Sequence, residues 1–221
     1  MKVALALLWK DLLCEWRSRD RLVAMFVFSI LVVVVFQFAW PTVPREQTEA
    51  LAPGVLWVIY LFAALIGLGR TFTLELENDA MTALALAPGT RGFIFAGKAA
   101  ATFVVIGAVQ ALTAFIFALF FRLDWLPHAG GLAIVVALAD LAICSVGTLF
   151  SAMSVRSRFR EVILPVLLIP SLIPVLASAV HATAATLAGE RLTLAALQPL
   201  IVLSAIYAIL GFLLFDAVLD D

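Results

Sequence analysis

The chain has 221 residues, 65% of them hydrophobic and only 13% charged, with a mean hydropathy of +1.15. Soluble domains run at about 45–50% apolar and about 25% charged, so an ordinary soluble protein is excluded. The net charge of −1 offers no nucleic-acid-binding surface, and two cysteines, Cys14 and Cys144, with two histidines exclude a disulfide framework or a thiolate metal cluster.

The chain opens with an amphipathic segment, residues 1–21. Leu5, Leu8, Trp9, Leu12, Leu13 and Trp16 fall on one helical face, with Lys10, Asp11, Cys14, Glu15, Arg17 and Ser18 on the other. Two tryptophans and a basic polar face suit a helix lying in the bilayer interface. It reads either as a plain anchor or as an elbow that relays movement of a cytoplasmic partner.

Six apolar stretches follow, at about 22–40, 51–69, 99–121, 132–155, 162–180 and 200–219. A hydrocarbon core of ~30 Å needs ~20 helical residues, which all six approach. The runs are continuous rather than alternating, which argues for helices over a barrel. The expected fold is therefore an all-α polytopic membrane protein with six transmembrane helices, in one domain over 1–221. The first stretch has 19 apolar residues against the ~7–15 of a signal peptide, so it is expected to remain as a span.

Eleven Lys and Arg lie in the N-terminal segment and the second and fourth loops. Only Arg45, Arg122 and Arg191 lie in the other loops. The positive-inside rule then places both termini in the cytoplasm.

Between the second and third spans runs the longest charged segment, from Arg70 to Lys98. Glu75, Glu77 and Asp79 cluster near its start, Pro88-Gly89 breaks it, and Phe72, Leu74 and Leu76 sit among the charges. It reads as a short cytoplasmic helix, a turn, and a helix leading into the membrane. The segment is either a solvated acidic turn or a docking surface whose apolar residues a soluble partner buries. The run Gly92 to Ala99 nearly matches a phosphate-binding loop, but Ala99 replaces the magnesium-ligating hydroxyl and no strand precedes it. Any ATP chemistry is expected to come from another chain, and the protein is not expected to be an enzyme.

Asp140 is the one carboxylate well inside a span, ~12 Å deep. It must face the bundle, either as a relay or as a packed polar group with a partner such as Gln37 or Gln110. Pro165, Pro170 and Pro174 free the carbonyls of Glu161, Val166 and Pro170 in the fifth span. That span is expected to be kinked, packed inside, and a candidate pathway wall. His128 and His181 are placed in outer loops, as surface residues or as haem ligands.

Several motifs carry a resemblance. Leu7-Leu8-Trp9-Lys10-Asp11-Leu12-Leu13 with Arg17-Ser18-Arg19-Asp20-Arg21, then Ala52-Pro53-Gly54-Val55-Leu56-Trp57, resemble the cytochrome c maturation protein B (haem exporter protein B) family. So do Arg70-Thr71-Phe72 with Glu75-Leu76-Glu77-Asn78 and Leu86-Ala87-Pro88, Val146-Gly147-Thr148-Leu149-Phe150, and Arg160-Glu161-Val162-Ile163-Leu164-Pro165. The sequence departs at Asp79, where that loop carries glycine.

The resemblance implies an ABC-2 (type V exporter-like) permease of the bacterial inner membrane, in two copies, with no directly bound cofactor. It implies an ATPase partner, cytochrome c maturation protein A, which binds ATP. It also implies a haem-handling membrane subunit, a small single-span subunit and a haem chaperone, with haem as cargo. Arg70, Phe72, Glu75, Glu77, Asp79 and Pro88 are the candidate coupling residues. Two other functions stay open: an ABC-2 permease for a lipid-linked glycan or drug, and an intramembrane hydrolase using Asp140.

Overall fold

A computed structural model describes residues 2–39, 45–77, 91–155 and 157–220. Its regular elements are helices: α1 (Lys2–Ser18), α2 (Asp20–Ala39), α3 (Arg45–Leu68), α4 (Thr73–Glu77), α5 (Gly92–Phe121), α6 (Ala129–Ser154), α7 (Arg160–Leu187) and α8 (Leu194–Asp220), with a 3-10 turn at Leu126–His128. Six of them, α2, α3 and α5 to α8, are long and apolar enough to cross a membrane. In hydrocarbon a helix satisfies its own backbone, so continuous apolar runs fold this way without help from a partner strand.

The helices outrun the expected spans. α5 begins seven residues before Ala99, and its 30 residues extend ~45 Å at ~1.5 Å per residue, well beyond a ~30 Å core. Its first two turns therefore project past the hydrocarbon and carry Lys98 with them.

α3 and α6 are the most enclosed spans. Trp57, Tyr60, Leu68, Ile106, Ile143, Leu168 and Leu172 fill the core between α3, α5, α6 and α7. Trp57 Nε1 donates to Thr183 Oγ1 at 2.9 Å, tying α3 to α7 away from lipid. On the other flank α8 packs on α6 and α5. There Gly211 leaves room for Phe95, whose ring would lie 2.2 Å from any added Cβ. Small residues of this kind let membrane helices approach closely.

α7 corrects one expectation, its place inside the bundle. It is helical across all three prolines, and it buries a single stripe: Leu164, Leu168, Leu172, Val175, Ala179 and Ala182. Pro170 and Pro174 are exposed on the opposite side and Pro165 is half-buried. The helix lies at the periphery rather than inside, because the prolines occupy the face with no neighbour to crowd. Ser171 Oγ and Ser178 Oγ donate to the carbonyls of Leu167 (2.9 Å) and Pro174 (2.8 Å), supplying local hydrogen bonds on this proline-rich stretch. His181 sits on α7 itself, not in a loop, and is exposed; His128 belongs to the 3-10 turn.

Both ends of the chain lie on one face, called here the terminal face. α1 packs on the start of α5, and Arg91 Nη1 donates to the carbonyl of Asp216 near the end of α8, at 3.1 Å.

Candidate functional site

The terminal face is held together by a buried cluster of charges. Lys98 projects from the second turn of α5. Three oxygens surround its ammonium: Glu75 Oε1 of α4 at 2.7 Å, Asp11 Oδ2 of α1 at 3.0 Å, and the carbonyl of Thr71 at 3.2 Å. An ammonium has three donors, and here each faces an oxygen from a different segment. The side chains of Lys98 and Glu75 are 2% and 3% exposed. Lys10 of α1, nearly half-exposed, pairs with Asp11 at 3.0 Å and with the same Glu75 oxygen. Two ammoniums and two carboxylates thus neutralise one another, the condition under which buried charge is tolerated.

Burial works against charge on Glu75, but Lys98 and Lys10 more than offset it and hold the carboxyl below its ordinary 4.5. Burial likewise opposes charge on Lys10, yet hydrogen bonds and attraction from Glu75 and Asp11 leave its pKa above 10.5.

Packing surrounds the charges. The Lys98 ammonium lies 5.2 Å from the ring centre of Phe72, within cation–π range. Phe72 is buried and stacks on Phe215 of α8 at 6.3 Å. Gly97 lets α1 settle on α5, since a Cβ there would stand 2.6 Å from the carbonyl oxygen of Ala4. α1 is tied to α2 as well: Glu15 pairs with Arg21 at 2.7 Å and accepts the backbone N–H of Leu22 at 3.2 Å.

These contacts revise the reading of two segments. Leu5, Trp9, Leu13 and Trp16 of α1 point away from the protein, between 41% and 69% exposed, where a bilayer interface would cover them. The opposite polar face is not wholly solvated, because Asp11 and Glu15 turn toward the bundle. Of the coupling candidates, Phe72 and Glu75 are interior residues and present no surface to a partner, because Lys98 draws Glu75 inward and Phe215 covers Phe72. Arg70 is exposed. Asp79, Pro88 and the side chain of Glu77 lie outside the described residues.

Lys98, Lys10 and Asp11 were not singled out by sequence reasoning. The Gly97-Lys98 pair of the near-miss phosphate loop was the available signal, and here its glycine and lysine serve helix packing and charge neutralisation.

Asp140 lies apart from this cluster. It is buried in α6 against Gln110 of α5, without reaching ordinary hydrogen-bond geometry, so Oδ1 has no partner among the described residues. Tyr60 of α3 donates to the Gln110 carbonyl at 3.0 Å. Three spans thus meet at a polar knot that, among the described residues, includes no second carboxylate.

The bundle and its charged joint define a polytopic all-α membrane protein of the permease type, with an interfacial helix locked to the terminal face. More particularly, residues 2–218 match the model of the CcmB protein family, and the chain belongs to that family. It is similar to heme exporter protein B of Paracoccus denitrificans, 31% identical over 172 residues, covering 77% of this chain and 78% of that one. Heme exporter protein B of Rhodobacter capsulatus is 30% identical over the same shares. That of Bradyrhizobium diazoefficiens is 25% identical over 206 residues, 93% of this chain and 92% of the relative.

Proposed function

We propose that this chain is the permease subunit of an ATP-driven haem exporter complex serving cytochrome c maturation. It sits in the bacterial inner membrane with both termini in the cytoplasm, as the eleven-to-three distribution of Lys and Arg favours. A separate ATPase subunit, cytochrome c maturation protein A, binds and hydrolyses ATP. Two permease copies work with it, together with the haem-handling membrane subunit and the small single-span subunit. The outcome is release of the haem-loaded periplasmic chaperone.

The observation that carries the coupling role is the position of α4. It follows the second span after a single turn and is pinned by Glu75 to both α1 and α5. A partner that pushes on α4 pushes on a unit already joined to α3 and α5, with no slack linker to absorb the motion. The buried residues of this unit transmit force, and its exposed positions, Arg70 among them, supply contact.

A tagged full-length chain purified from native membranes tests this. Recovery of a nucleotide-hydrolysing subunit, with loss of c-type cytochrome assembly when the chain is deleted, is expected. Purification without any such subunit, or normal cytochrome assembly in the deletion strain, contradicts it.

A further inference from the structure

α2 and α7 flank α3 without packing extensively on each other, and a groove of ≈ 470 Å³ opens between them. Its deep end is apolar, with Phe28 of α2, Phe62 of α3 and Ile169 of α7 on its walls. Phe62 is 44% exposed, although it sits mid-span beside the core. Arg70 and Arg160 stand at the groove's other end, on the terminal face. Phe62 precedes Arg70 by eight residues and Ile169 follows Arg160 by nine, so the apolar walls reach ~12–13 Å below the guanidinium level at ~1.5 Å per residue. The groove is therefore apolar at depth and cationic at the membrane surface.

The two arginines also border a second, polar basin of ≈ 460 Å³. Of the basin's other charges, Lys98 faces Asp11 and Arg21 faces Glu15, while Asp20, exposed at the start of α2, has no ion pair among the described residues. Neither Arg70 nor Arg160 has an ion pair or side-chain hydrogen bond among the described residues. Glu161 is the one carboxylate on the groove's rim, and it is exposed. On the groove's own wall two guanidiniums stand against one carboxylate, a net positive mouth above an apolar slot; Asp20 lines the neighbouring basin and not the groove.

We propose that this groove binds one anionic phospholipid of the leaflet on the terminal face, its phosphate between Arg70 and Arg160 and an acyl chain along Phe28, Phe62 and Ile169. Guanidinium and phosphate match in charge and in fork geometry, and the pair strengthens where water is scarce. Basic pockets between spans on this side of a membrane suit anionic head groups. The volume falls within the ~300–1,000 Å³ of sites that hold small organic molecules. A zwitterionic lipid fills the same slot but brings its own cation to the two arginines.

Native mass spectrometry of the full-length protein in mixed micelles, offered phosphatidylglycerol and phosphatidylcholine in equal amounts, tests the site. Wild type should retain phosphatidylglycerol selectively, and the Arg70→Gln/Arg160→Gln variant should lose that preference about 30-fold, or ~1 kcal/mol per arginine near an anionic surface. Soluble glycerol phosphate should fail to compete, because the slot supplies part of the affinity. A phosphatidylglycerol carrying a photoreactive acyl chain should label wild-type peptides that contain Phe62 or Ile169. Equal retention of both lipids by wild type, an unchanged preference in the double variant, competition by glycerol phosphate at the lipid's own concentration, or labelling confined to other spans overturns the proposal.

Discussion

Lys98 Nζ and Glu75 Oε1 lie 2.7 Å apart with both side chains almost sealed from solvent. The contact joins α4 to the first turns of α5, and through Asp11 and Lys10 it also holds α1. Removing one partner of such a pair strands a buried charge, which costs about 3–5 kcal/mol, whereas replacing both by apolar groups is often nearly neutral. Lys98→Met is therefore expected to lower stability by about that amount. Lys98→Met/Glu75→Leu should recover most of it, because the Lys10–Asp11 pair remains. Denaturation of the purified variants in mixed micelles gives the coupling energy directly.

The pH dependence of this joint follows from its two shifted groups. Glu75 is held below its ordinary 4.5, so its contribution is complete above that value and is lost as pH falls through the lowered pKa. Lys10 is raised above 10.5, so its contribution is complete below that value and is lost as pH rises through the raised pKa. Thermal midpoints should form a plateau between the two limits. Glu75→Gln should remove the joint's share of the acid limb.

Helix docking at Gly97 is a matter of space. A Cβ there meets the Ala4 carbonyl at 2.6 Å, and a backbone atom cannot rotate away. Gly97→Ala should displace α1 and cost about 1–3 kcal/mol, seen as faster proteolysis of residues 2–18. Gly54, also helical but with open space around it, is the control: Gly54→Ala should be neutral or gain about 0.5–1 kcal/mol.

At the polar knot in the spans, Tyr60→Phe removes one hydrogen bond. Such bonds in membrane bundles average ~0.6 kcal/mol with a maximum near 1.7, so the loss in stability should stay within that range. Asp140→Asn should support normal c-type cytochrome assembly at wild-type membrane levels. Loss of assembly in a stable Asp140→Asn protein would assign chemistry to this carboxylate.

The six spans were legible because hydrocarbon imposes a single solution on long apolar runs, and both the all-α architecture and the helix leading in from Gly92 follow from that. The ends of the spans were less so. Charges mark the borders of spans only where they face water, and Lys98, just before Ala99, is instead paired inside protein. Glu75 is open in sequence between a solvated turn and a docking surface, and neither reading buries it inside the chain's own bundle. Its partners Lys98 and Lys10 lie twenty-three and sixty-five residues away in sequence, and no local pattern reports them. Pro165, Pro170 and Pro174 suggest an interior helix because freed carbonyls need partners, whereas the structure turns Pro170 and Pro174 to the exposed face of α7. Asp140 facing Gln110 was within reach of sequence reasoning, since a buried carboxylate has few polar neighbours available in an apolar bundle.

The most direct test of the coupling account compares Lys98→Met with Lys98→Met/Glu75→Leu in cells that make c-type cytochromes. For each, membrane level, ATPase copurification and cytochrome assembly are measured together. The single variant should insert yet lose its ATPase and its cytochromes, because α4 is no longer held to α5, and the double variant should regain both. A Lys98→Met protein that keeps its ATPase and assembles cytochromes normally would show that α4 does not need this tie, and the coupling role assigned to it would fall.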